Sequence, residues 1–505
     1  MTFLSTKYEG GLSALLKGVC NVPVSYDKHV TDITTDSREA IDGSCFFALE
    51  GSSRSGADFA DDAINRGAST VIYQKQPIVL PPSKVSYLVV PKIKEALGDV
   101  ARRFFGDPSK SLKVYAVTGT NGKTTVSYLM SKALGFLEGT CGYLGTLGKG
   151  LSSSRRLAAT INTTPDVITL NRALNNFLTA GAKSCAIEAS SIGLSQGRID
   201  ALNIDTALYT NLGLDHLDFH GSYTDYKNAK LSLFQNEAVR NVVLSLDDEF
   251  GRFIFNQIDG VKKVLTISNR LVWDDDFVPD IFSSELSCKI TGSSFNLNYR
   301  EITHDFETRL IGDFNVANVL LVVGALLLSG FEMGEIRKAL RNIKQIPGRM
   351  QLSGQSSDGV LVFVDYAHTP EGLEGALSSL RPLSKRKISV VFGCGGDRDR
   401  SKRAVMGLAA YKGADYIFLT SDNSRGEKTE DIVKDICKGI PNTNNTHIIF
   451  DRAAAIRAAI EHGEKDDIVL IAGKGHESYQ EVDGKRFKHD DRRVVKKLLS
   501  EREFD

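Results

Sequence analysis

The segment Val114–Thr125 constrains the fold more than any other part of this sequence. Residues 114–117 indicate a buried strand, and a glycine turn over 119–122 leads from it into a helix. Apolar residues at helical spacing mark that helix, namely Val126, Leu129, Met130, Ala133, Leu134 and Leu137. A strand, glycine turn and helix in this order direct backbone N–H groups at an anion. The segment therefore predicts a phosphate-binding loop.

Two side chains of this loop fit a nucleotide bound with magnesium. Lys123 supplies a full positive charge, and Thr124 supplies a hydroxyl that can hold Mg²⁺. The spacing is Gly-x-x-Gly-Lys-Thr, two residues shorter than the general phosphate-loop pattern. The alternative is a chance glycine turn before a helix, but strand, glycines, lysine, hydroxyls and helix all occur in the required order.

The length of 505 residues predicts about three domains, because one hydrophobic core rarely serves so long a chain. We place their limits at 1–109, 110–346 and 347–505, with Pro108 marking the first boundary. Alternating strands and helices predict an α/β fold: a small N-terminal α/β domain, a central P-loop ATPase-like domain with a parallel sheet covered on both faces, and a C-terminal Rossmann-like domain. In the last domain, strands are expected at 360–364, 388–392, 416–419, 447–450 and 468–471.

Charge and cysteine usage exclude several classes of protein. Lys+Arg and Asp+Glu both number 62, which argues against nucleic acid or an anionic membrane as the main partner. The seven cysteines include no C-x-x-C pair, which favours reduced thiols and argues against zinc. No apolar run approaches the roughly 20 residues of a membrane span, and the N-terminus lacks the apolar core of a signal peptide. We expect a soluble, cytoplasmic protein and a monomer.

Polar residues follow the predicted strands of the central domain. Glu188 ends the strand 184–187, and His216 follows the strand 206–209. Ligands of open α/β sheets bind beyond the carboxyl ends of strands, so both side chains are candidates for Mg²⁺ or ATP. His216 alone would be a surface or structural histidine. The pattern around Lys230 alone favours a surface lysine with a buried stem.

Polar, glycine-rich loops also follow the strands of the last domain. They are Asp365–Pro370, Gly393–Arg400, Thr420–Gly426 and Ala472–Glu477. The Gly393 loop lacks the Gly-x-Gly-x-x-Gly spacing of a dinucleotide site, so a nicotinamide cofactor is excluded there. In the first domain, Ser37 and Arg38 lie in a polar turn from which they could contact a phosphate or a nucleobase, although Ser37 alone favours a turn former.

Seven motifs occur in order along the chain: Thr118–Thr125, Asn162–Pro165, Glu188–Ser191, Asn211–His216, Gly312–Asn318, Pro347–Arg349 and Asp365–Pro370. In this order they resemble the Mur ligases of peptidoglycan synthesis, through all three predicted domains. The resemblance implies the three-domain architecture of that family. It also implies ATP-dependent amide formation, in which a carboxylate attacks the γ-phosphorus of ATP and an amine then attacks the acyl phosphate.

The resemblance assigns roles to residues of the ATP half of the site. The nucleotide is expected at Gly119, Thr120, Asn121, Gly122, Lys123, Thr124, Thr125, Asn315, Arg349 and His368. Thr124, Glu188, His216 and a carbamylated Lys230 are the expected Mg²⁺ ligands, and Lys123, Glu188, His216 and Lys230 the expected catalytic residues. Carbamylation converts an ammonium into an anion, which suits a hard cation that prefers oxygen.

The resemblance also implies the substrates UDP-N-acetylmuramoyl-L-alanyl-D-glutamate and meso-diaminopimelate. The UDP-sugar dipeptide is expected at Ser37, Thr163, Thr164, Ser190, Gln196 and Arg198, and the amino acid at Arg398, Asp422, Asn423, Ser424, Arg425, Gly473 and Glu477. Members that add diaminopimelate carry Asp-Asn-Pro-Arg in the selectivity loop. Here Ser424 replaces the proline, which is expected to loosen the loop, and Arg425 is kept to bind the distal carboxylate.

Three alternatives remain open. The first is the L-lysine-adding form of the same ligase, which lacks the arginine of the selectivity loop. The second is folylpolyglutamate synthetase, which has no separate N-terminal domain with a Ser-Arg pair for UDP. The third is a non-catalytic scaffold, which should have lost its metal and phosphate residues and, in plastids, carry a transit peptide. The metal and phosphate residues are all present in this sequence. This favours an active ligase of cell-wall synthesis, and so a role in cell shape and division.

Overall fold

A computed structural model describes residues 8–51, 54–258, 260–269 and 278–501. The described residues form two compact units. Unit 1 contains those within Met1–Ala116, Leu134–Ala207 and Gln235–Arg240, and unit 2 those within Val117–Ala133, Leu208–Phe234 and Asn241–Asp505. The predicted limits of three domains stay a prediction.

The strands of the described residues are β1 Ile33–Thr34, β2 Cys45–Ala48, β3 Thr70–Tyr73, β4 Ser86–Val89, β5 Lys113–Thr118, β6 Cys141–Gly145, β7 Gly148–Leu151, β8 Ser184–Glu188, β9 Ile204–Tyr209, β10 Val239–Ser245, β11 Lys263–Ser268, β12 Ile281–Lys289, β13 Gly292–Tyr299, β14 Ile302–Thr308, β15 Gln351–Gln355, β16 Leu361–Val364, β17 Ile388–Phe392, β18 Tyr416–Leu419, β19 Thr446–Ile448, β20 Ile468–Ile471, β21 Tyr479–Val482 and β22 Lys485–Lys488.

The helices are α1 Leu12–Leu15, α2 Ala60–Asn65, α3 Ile93–Phe104, α4 Pro108–Ser111, α5 Lys123–Glu138, α6 Val167–Thr179, α7 Ser191–Ser195, α8 Leu217–His220, α9 Tyr223–Gln235, α10 Glu249–Gln257, α11 Asp313–Leu328, α12 Met333–Arg341, α13 Pro370–Leu380, α14 Ser401–Gly413, α15 Thr429–Cys437, α16 Arg452–His462 and α17 Asp491–Glu501. Short 3₁₀ turns lie at Val24–Tyr26, Ser37–Glu39, Gly56–Phe59 and Arg381–Leu383. Within the described residues, no helix combines the length and apolarity needed to cross a membrane.

The N-terminal sheet of unit 1 is parallel, in the order β1-β2-β3-β4. Successive side chains of a strand point to opposite faces. Accordingly, Phe47 packs with Leu15 and Val100 on one face, and Phe46 packs with Val71 on the other. Because both faces are covered, strands of this sheet consist of apolar runs, as is usual for parallel sheets.

Each unit also contains strands of the middle region of the chain, with parallel and antiparallel neighbours. In unit 1 the strand order is β9-β5-β8-β6-β7, and β7 is antiparallel to β6. In unit 2 the order is β14-β13-β12-β11-β10, and β12, β13 and β14 form an antiparallel meander. The predicted parallel strands are thus joined by antiparallel strands, which were not predicted from the sequence. Arg300 and Glu301, with φ of 50° and 63°, form a two-residue turn that allows only antiparallel pairing of β13 and β14.

The C-terminal sheet of unit 2 has the order β15-β16-β20-β17-β18-β19. All its neighbours are parallel except β15 and β16, which confirms a second doubly wound sheet. Val390 and Phe392 of β17 pack on one face, and Val391 on the other. Since parallel strands end at one edge, the polar loops after β16, β17, β18 and β20 gather there.

A buried ion pair supports two of those loops. Arg452, the first residue of α16, and Asp491, the first of α17, have no exposed side-chain surface, and their closest N–O distance is 2.8 Å. Arg452 also donates to the carbonyl oxygens of Ser421 and Ala472, near the starts of the two loops. Burial alone would raise the pKa of Asp491, but the charge of Arg452 and its hydrogen bond lower it well below the ordinary value. The stabilisation is therefore present above the ordinary pKa of 3.8 and is lost as the pH falls below it towards the folded value.

We expect Arg452→Met to lower the free energy of unfolding by roughly 3–5 kcal/mol, because it leaves the Asp491 carboxylate buried without its arginine partner. The measurement is urea denaturation followed by far-UV circular dichroism at neutral pH. The matched control is Arg457→Met on the same helix, where a half-exposed arginine lies 3.7 Å from Glu461. Its effect should stay below about 1 kcal/mol. Equal losses in the two variants would contradict this account.

Candidate functional site

The turn predicted between strand and helix is present, and its two glycines are required by the space around them. Gly119 has φ of 144° and Gly122 of 86°. A Cβ on Gly119 would collide with the hydroxyl of Thr210, and a Cβ on Gly122 would lie 2.5 Å from Asn318 Oδ1. Asn211 anchors the loop by two hydrogen bonds. Its backbone oxygen accepts from Thr120 N at 2.7 Å, and its Oδ1 accepts from Asn121 N at 2.9 Å. The loop is thus preformed.

Two lysine amines meet at the carbonyl oxygen of Gly119. Lys123 Nζ donates to Gly119 O at 2.8 Å and to Thr120 O at 2.7 Å. Lys230 Nζ donates to the same oxygen of Gly119 at 2.8 Å. Two ammonium groups so close repel each other, so the arrangement disfavours a positive charge on both.

Lys230 is buried, so the interpretation as a surface lysine is wrong. Its Nζ lies 4.3 Å from the ring centroid of Tyr226, and 1 % of the residue is exposed. Burial, and then the charge of Lys123, lower the pKa of Lys230 well below its ordinary value. Tyr226, Ala229 and Leu233 are buried at helical spacing, so Lys230 lies on the buried stripe of α9. This spacing was the signal available in the sequence.

Of the three other residues predicted at the nucleotide, Arg349 contacts the start of α5. Arg349 Nη2 donates to Thr124 Oγ1 at 2.9 Å, and its guanidinium lies 4.2 Å from the ring centroid of Tyr366. Asn315 is buried, and its amide donates to Ile311 O at 2.8 Å. This hydrogen bond indicates that Asn315 supports the backbone before α11. His368 is the third and belongs to the cluster described next.

Asp215 is a functional candidate that sequence reasoning missed. Its carboxylate is 8 % exposed and lies 3.4 Å from Lys402 Nζ, 3.5 Å from His216 Nε2 and 3.6 Å from His368 Nε2. Burial would raise the pKa of Asp215, but the contact with His368 and the charge of Lys402 lower it well below the ordinary value. Asp215 belongs to the motif that ends at His216, whereas Lys402, within α14, had no signal beyond its charge.

His216 has a left-handed backbone, with φ of 56°, at the start of α8. Burial lowers the pKa of its ring to about 4, although the charge of Asp215 acts in the opposite direction. The imidazole is therefore neutral at neutral pH and has a lone pair for a cation.

In unit 1, Glu188 is fully buried at the end of β8 and firmly oriented. Its Oε1 accepts from Tyr143 OH at 2.9 Å and Thr146 N at 2.8 Å, and its Oε2 accepts from Thr146 Oγ1 at 2.9 Å. Sequence reasoning missed Tyr143 and Thr146, because nothing in the sequence places them beside a carboxylate 42 or more residues away.

The residues predicted at the UDP-sugar dipeptide surround the end of β8, except Ser37. Thr164 Oγ1 donates to Glu188 O at 2.7 Å and lies 3.0 Å from Ser190 Oγ. Arg198 binds the Thr164 carbonyl and donates to Gln196 Oε1 at 2.6 and 3.1 Å. Thr163 Oγ1 lies 3.2 Å from Thr146 Oγ1. Ser37 is buried at the start of a 3₁₀ turn and hydrogen-bonds Asp62, consistent with a turn former.

Six of the seven residues predicted at the amino acid, all except Ser424, line one cavity of unit 2 with a volume of about 140 Å³. Its walls include the cations Arg398 and Arg425 and the carboxylates of Asp422 and Glu477. Asp215, His216 and His368 line the same cavity. The predicted ATP residues His216 and His368 thus share a cavity with the predicted amino-acid residues.

The loop containing Ser424 is held by the hairpin of β21 and β22. Arg425 has φ of 49°, its N–H donates to Glu481 O at 2.9 Å, and its carbonyl accepts from Asp483 N at 2.7 Å. Gln480 Nε2 donates to Ser421 Oγ at 2.9 Å. These bonds fix the loop by means other than a proline, and Arg425 Nη1 donates to Gly396 O at 2.7 Å.

The described residues contain no group of three or more His, Cys, Asp or Glu that could hold a metal ion. The predicted Mg²⁺ ligands include a threonine and a modified lysine, so that set stays a prediction.

Comparison with known proteins agrees with the motifs. Family models match residues 29–105 (Mur ligase family, catalytic domain), 117–326 (Mur ligase middle domain) and 348–475 (Mur ligase, glutamate ligase domain). A protein of Xanthomonas campestris pv. campestris, named UDP-N-acetylmuramoyl-L-alanyl-D-glutamate--2,6-diaminopimelate ligase, is 39% identical over 486 residues, 96% of this chain and 97% of its own. A protein of the same name from Pseudomonas syringae pv. tomato is 41% identical over 464 residues, 91% and 93% of the two chains.

A solved structure with that name has a TM-score of 0.68 and 33% identity, and the match covers 98% of this chain and 100% of the other. These matches confirm the family that the motifs predict, its α/β fold class and its ligase chemistry. The chain belongs to the Mur ligase family.

Proposed function

We propose that this protein is the ATP-dependent ligase that joins meso-diaminopimelate to the D-glutamate of UDP-N-acetylmuramoyl-L-alanyl-D-glutamate, a step of peptidoglycan synthesis. The observation that carries the choice of amino acid is the cavity with Arg398 and Arg425 beside Asp422 and Glu477. Paired cations and carboxylates match a substrate end that carries both a carboxylate and an ammonium. The names of the relatives support the same reaction.

The reaction needs no nucleophilic side chain from the protein. The D-glutamate carboxylate attacks the γ-phosphorus and ADP leaves; the amine of the amino acid then attacks the acyl carbon, phosphate leaves and a proton is released. Lys123 and Arg349, at the phosphate loop, are placed to stabilise the negative charge of the transferring phosphoryl group. Asp215 orients Lys402 and His368 at the cavity where the amine arrives.

The residues at the loop fit Mg²⁺ bound with ATP. A threonine hydroxyl, Thr124, and a neutral imidazole, His216, would hold the cation, with the carbamate of Lys230; Glu188 is the fourth ligand that the sequence predicts. When bound, Mg²⁺ neutralises charge on the phosphates.

Carbamylation of Lys230 resolves the crowding of two amines at Gly119 O. The modified side chain is an anion, so repulsion from Lys123 becomes attraction. The neutral amine, which burial favours, is the form that reacts with CO₂.

We place this reaction in the cytoplasm, in a monomeric protein whose product serves cell-wall synthesis, cell shape and division. Its working division is into domains 1–109, 110–346 and 347–505, which bind UDP, ATP and the amino acid. Gel filtration of the purified chain checks the oligomeric state.

We expect kcat/KM for meso-diaminopimelate to exceed that for L-lysine by about 100-fold or more, because L-lysine has no distal carboxylate for Arg425. Phosphate release with ATP and the UDP-dipeptide measures both. Arg425→Lys should lower kcat/KM for diaminopimelate about 10- to 100-fold, since a lysine cannot bind a carboxylate bidentately. The control Arg457→Lys should not change it. A wild-type preference for L-lysine would refute the choice of amino acid.

Purified protein incubated with ¹³C-bicarbonate should show a carbamate signal in its ¹³C NMR spectrum, and Lys230→Ala should abolish both this signal and ligase activity. Lys227→Ala, one turn earlier on α9, removes a half-buried lysine that lies over aromatic rings. It should keep the carbamate signal and most of the activity. An active protein whose Lys230 remains unmodified in saturating bicarbonate would exclude the carbamate.

A further inference from the structure

Lys474 is a fully buried lysine in the loop that follows β20, and it faces the loop that follows β18. Its Nζ lies 2.7 Å from Glu477 Oε2 and 3.0 Å from Asn423 Oδ1. The ring centroid of Tyr479 lies 5.5 Å away. A buried ammonium is costly unless it is paired and hydrogen-bonded, so these contacts define where the side chain must lie.

The same contacts fix the amide of Asn423. Its Nδ2 donates to Glu477 Oε2 at 3.0 Å, while its Oδ1 accepts from Lys474 Nζ and from Glu481 N, at 3.0 and 2.9 Å. Three side chains from two loops thus form a closed triangle. Asn423 and Glu477 line the amino-acid cavity, and Lys474 is not among its lining residues.

We propose that Lys474 is a positioning residue for recognition of the incoming amino acid. It holds Glu477 by one oxygen, Oε2, and Asn423 by its carbonyl, so that the carboxylate that meets the substrate ammonium has one orientation. It also locks the Asp422–Arg425 loop to the Gly473–Glu477 loop. Arg425, which binds the substrate carboxylate, and Glu477, which binds its ammonium, are therefore kept at a constant separation. This inference rests on the proposed function.

The charge of Lys474 has a second effect. It neutralises Glu477 in the absence of substrate, which makes a carboxylate tolerable beside Asp422 at the cavity. The neutralisation weakens attraction for an arbitrary cation. Selection among amino acids then depends on geometry. The ammonium binds Glu477 most strongly when the other groups of the substrate also fit the cavity.

The test is steady-state kinetics of Lys474→Met with each substrate varied in turn. We expect KM for the amino acid to rise about 10- to 100-fold, and KM for ATP and for the UDP-dipeptide to stay within about twofold. Lys474→Arg, which keeps the charge, should recover part of the loss and remain folded where the methionine variant does not. Lys485→Met, on the exposed strand β22, is the matched control and should match the wild type.

A double variant separates positioning from a merely structural role. If Lys474 acts through Glu477, adding Lys474→Met to Glu477→Gln should raise KM for the amino acid little beyond Glu477→Gln alone. Additive effects would overturn the proposal, as would an unchanged KM for the amino acid or an equal rise of all three KM values.

Failure of the proposed function is distinguishable from failure of this inference, since it is seen in the wild type. A wild type that prefers L-lysine refutes only the choice of diaminopimelate, and the same variants are then measured with L-lysine. A wild type inactive with both amino acids overturns both proposals.

Discussion

The meeting of two lysine amines at the carbonyl oxygen of Gly119 is the constraint on which the nucleotide side of this molecule depends. A positive φ at Gly119 directs its carbonyl towards both amines, and the hydroxyl of Thr210 leaves no room for a side chain there. Charge on both amines is unfavourable in a buried place. A neutral Lys230 relieves this repulsion, and an anion at the loop, either bound phosphates or a modified Lys230, would relieve it further.

The edge of the C-terminal sheet places opposite charges around a small cavity without leaving them unsupported. Arg452 and Asp491 link the carbonyl oxygens of Ser421 and Ala472 to the starts of two helices. Lys474, in the loop after β20, joins the side chains of the two loops. Under the proposed function, substrate recognition depends on buried charges that do not line the cavity, a usual requirement for precise placement of binding groups.

The parts of the fold that depend on short segments were predictable. The strand, turn and helix of the phosphate loop, and β17, β18 and β20, follow from local patterns, and the gathering of their loops follows from the geometry of parallel sheets. Residues that act through long-range contacts were not. Asp215 and Lys402 are 187 positions apart in the sequence. Lys230 was misjudged because a lysine is rarely buried without a charged partner, although its helical neighbours marked a buried stripe.

The hairpin of β21 and β22 holds the Arg425 loop through main-chain hydrogen bonds, and these are indifferent to side-chain identity. These bonds do not involve the side chain of Ser424, so the hairpin can hold the loop without a proline at this position. For protein engineering, the smallest exchangeable module is then the loop together with its hairpin. Transplanting the four loop residues alone would transfer the loop sequence without the hairpin that determines its conformation.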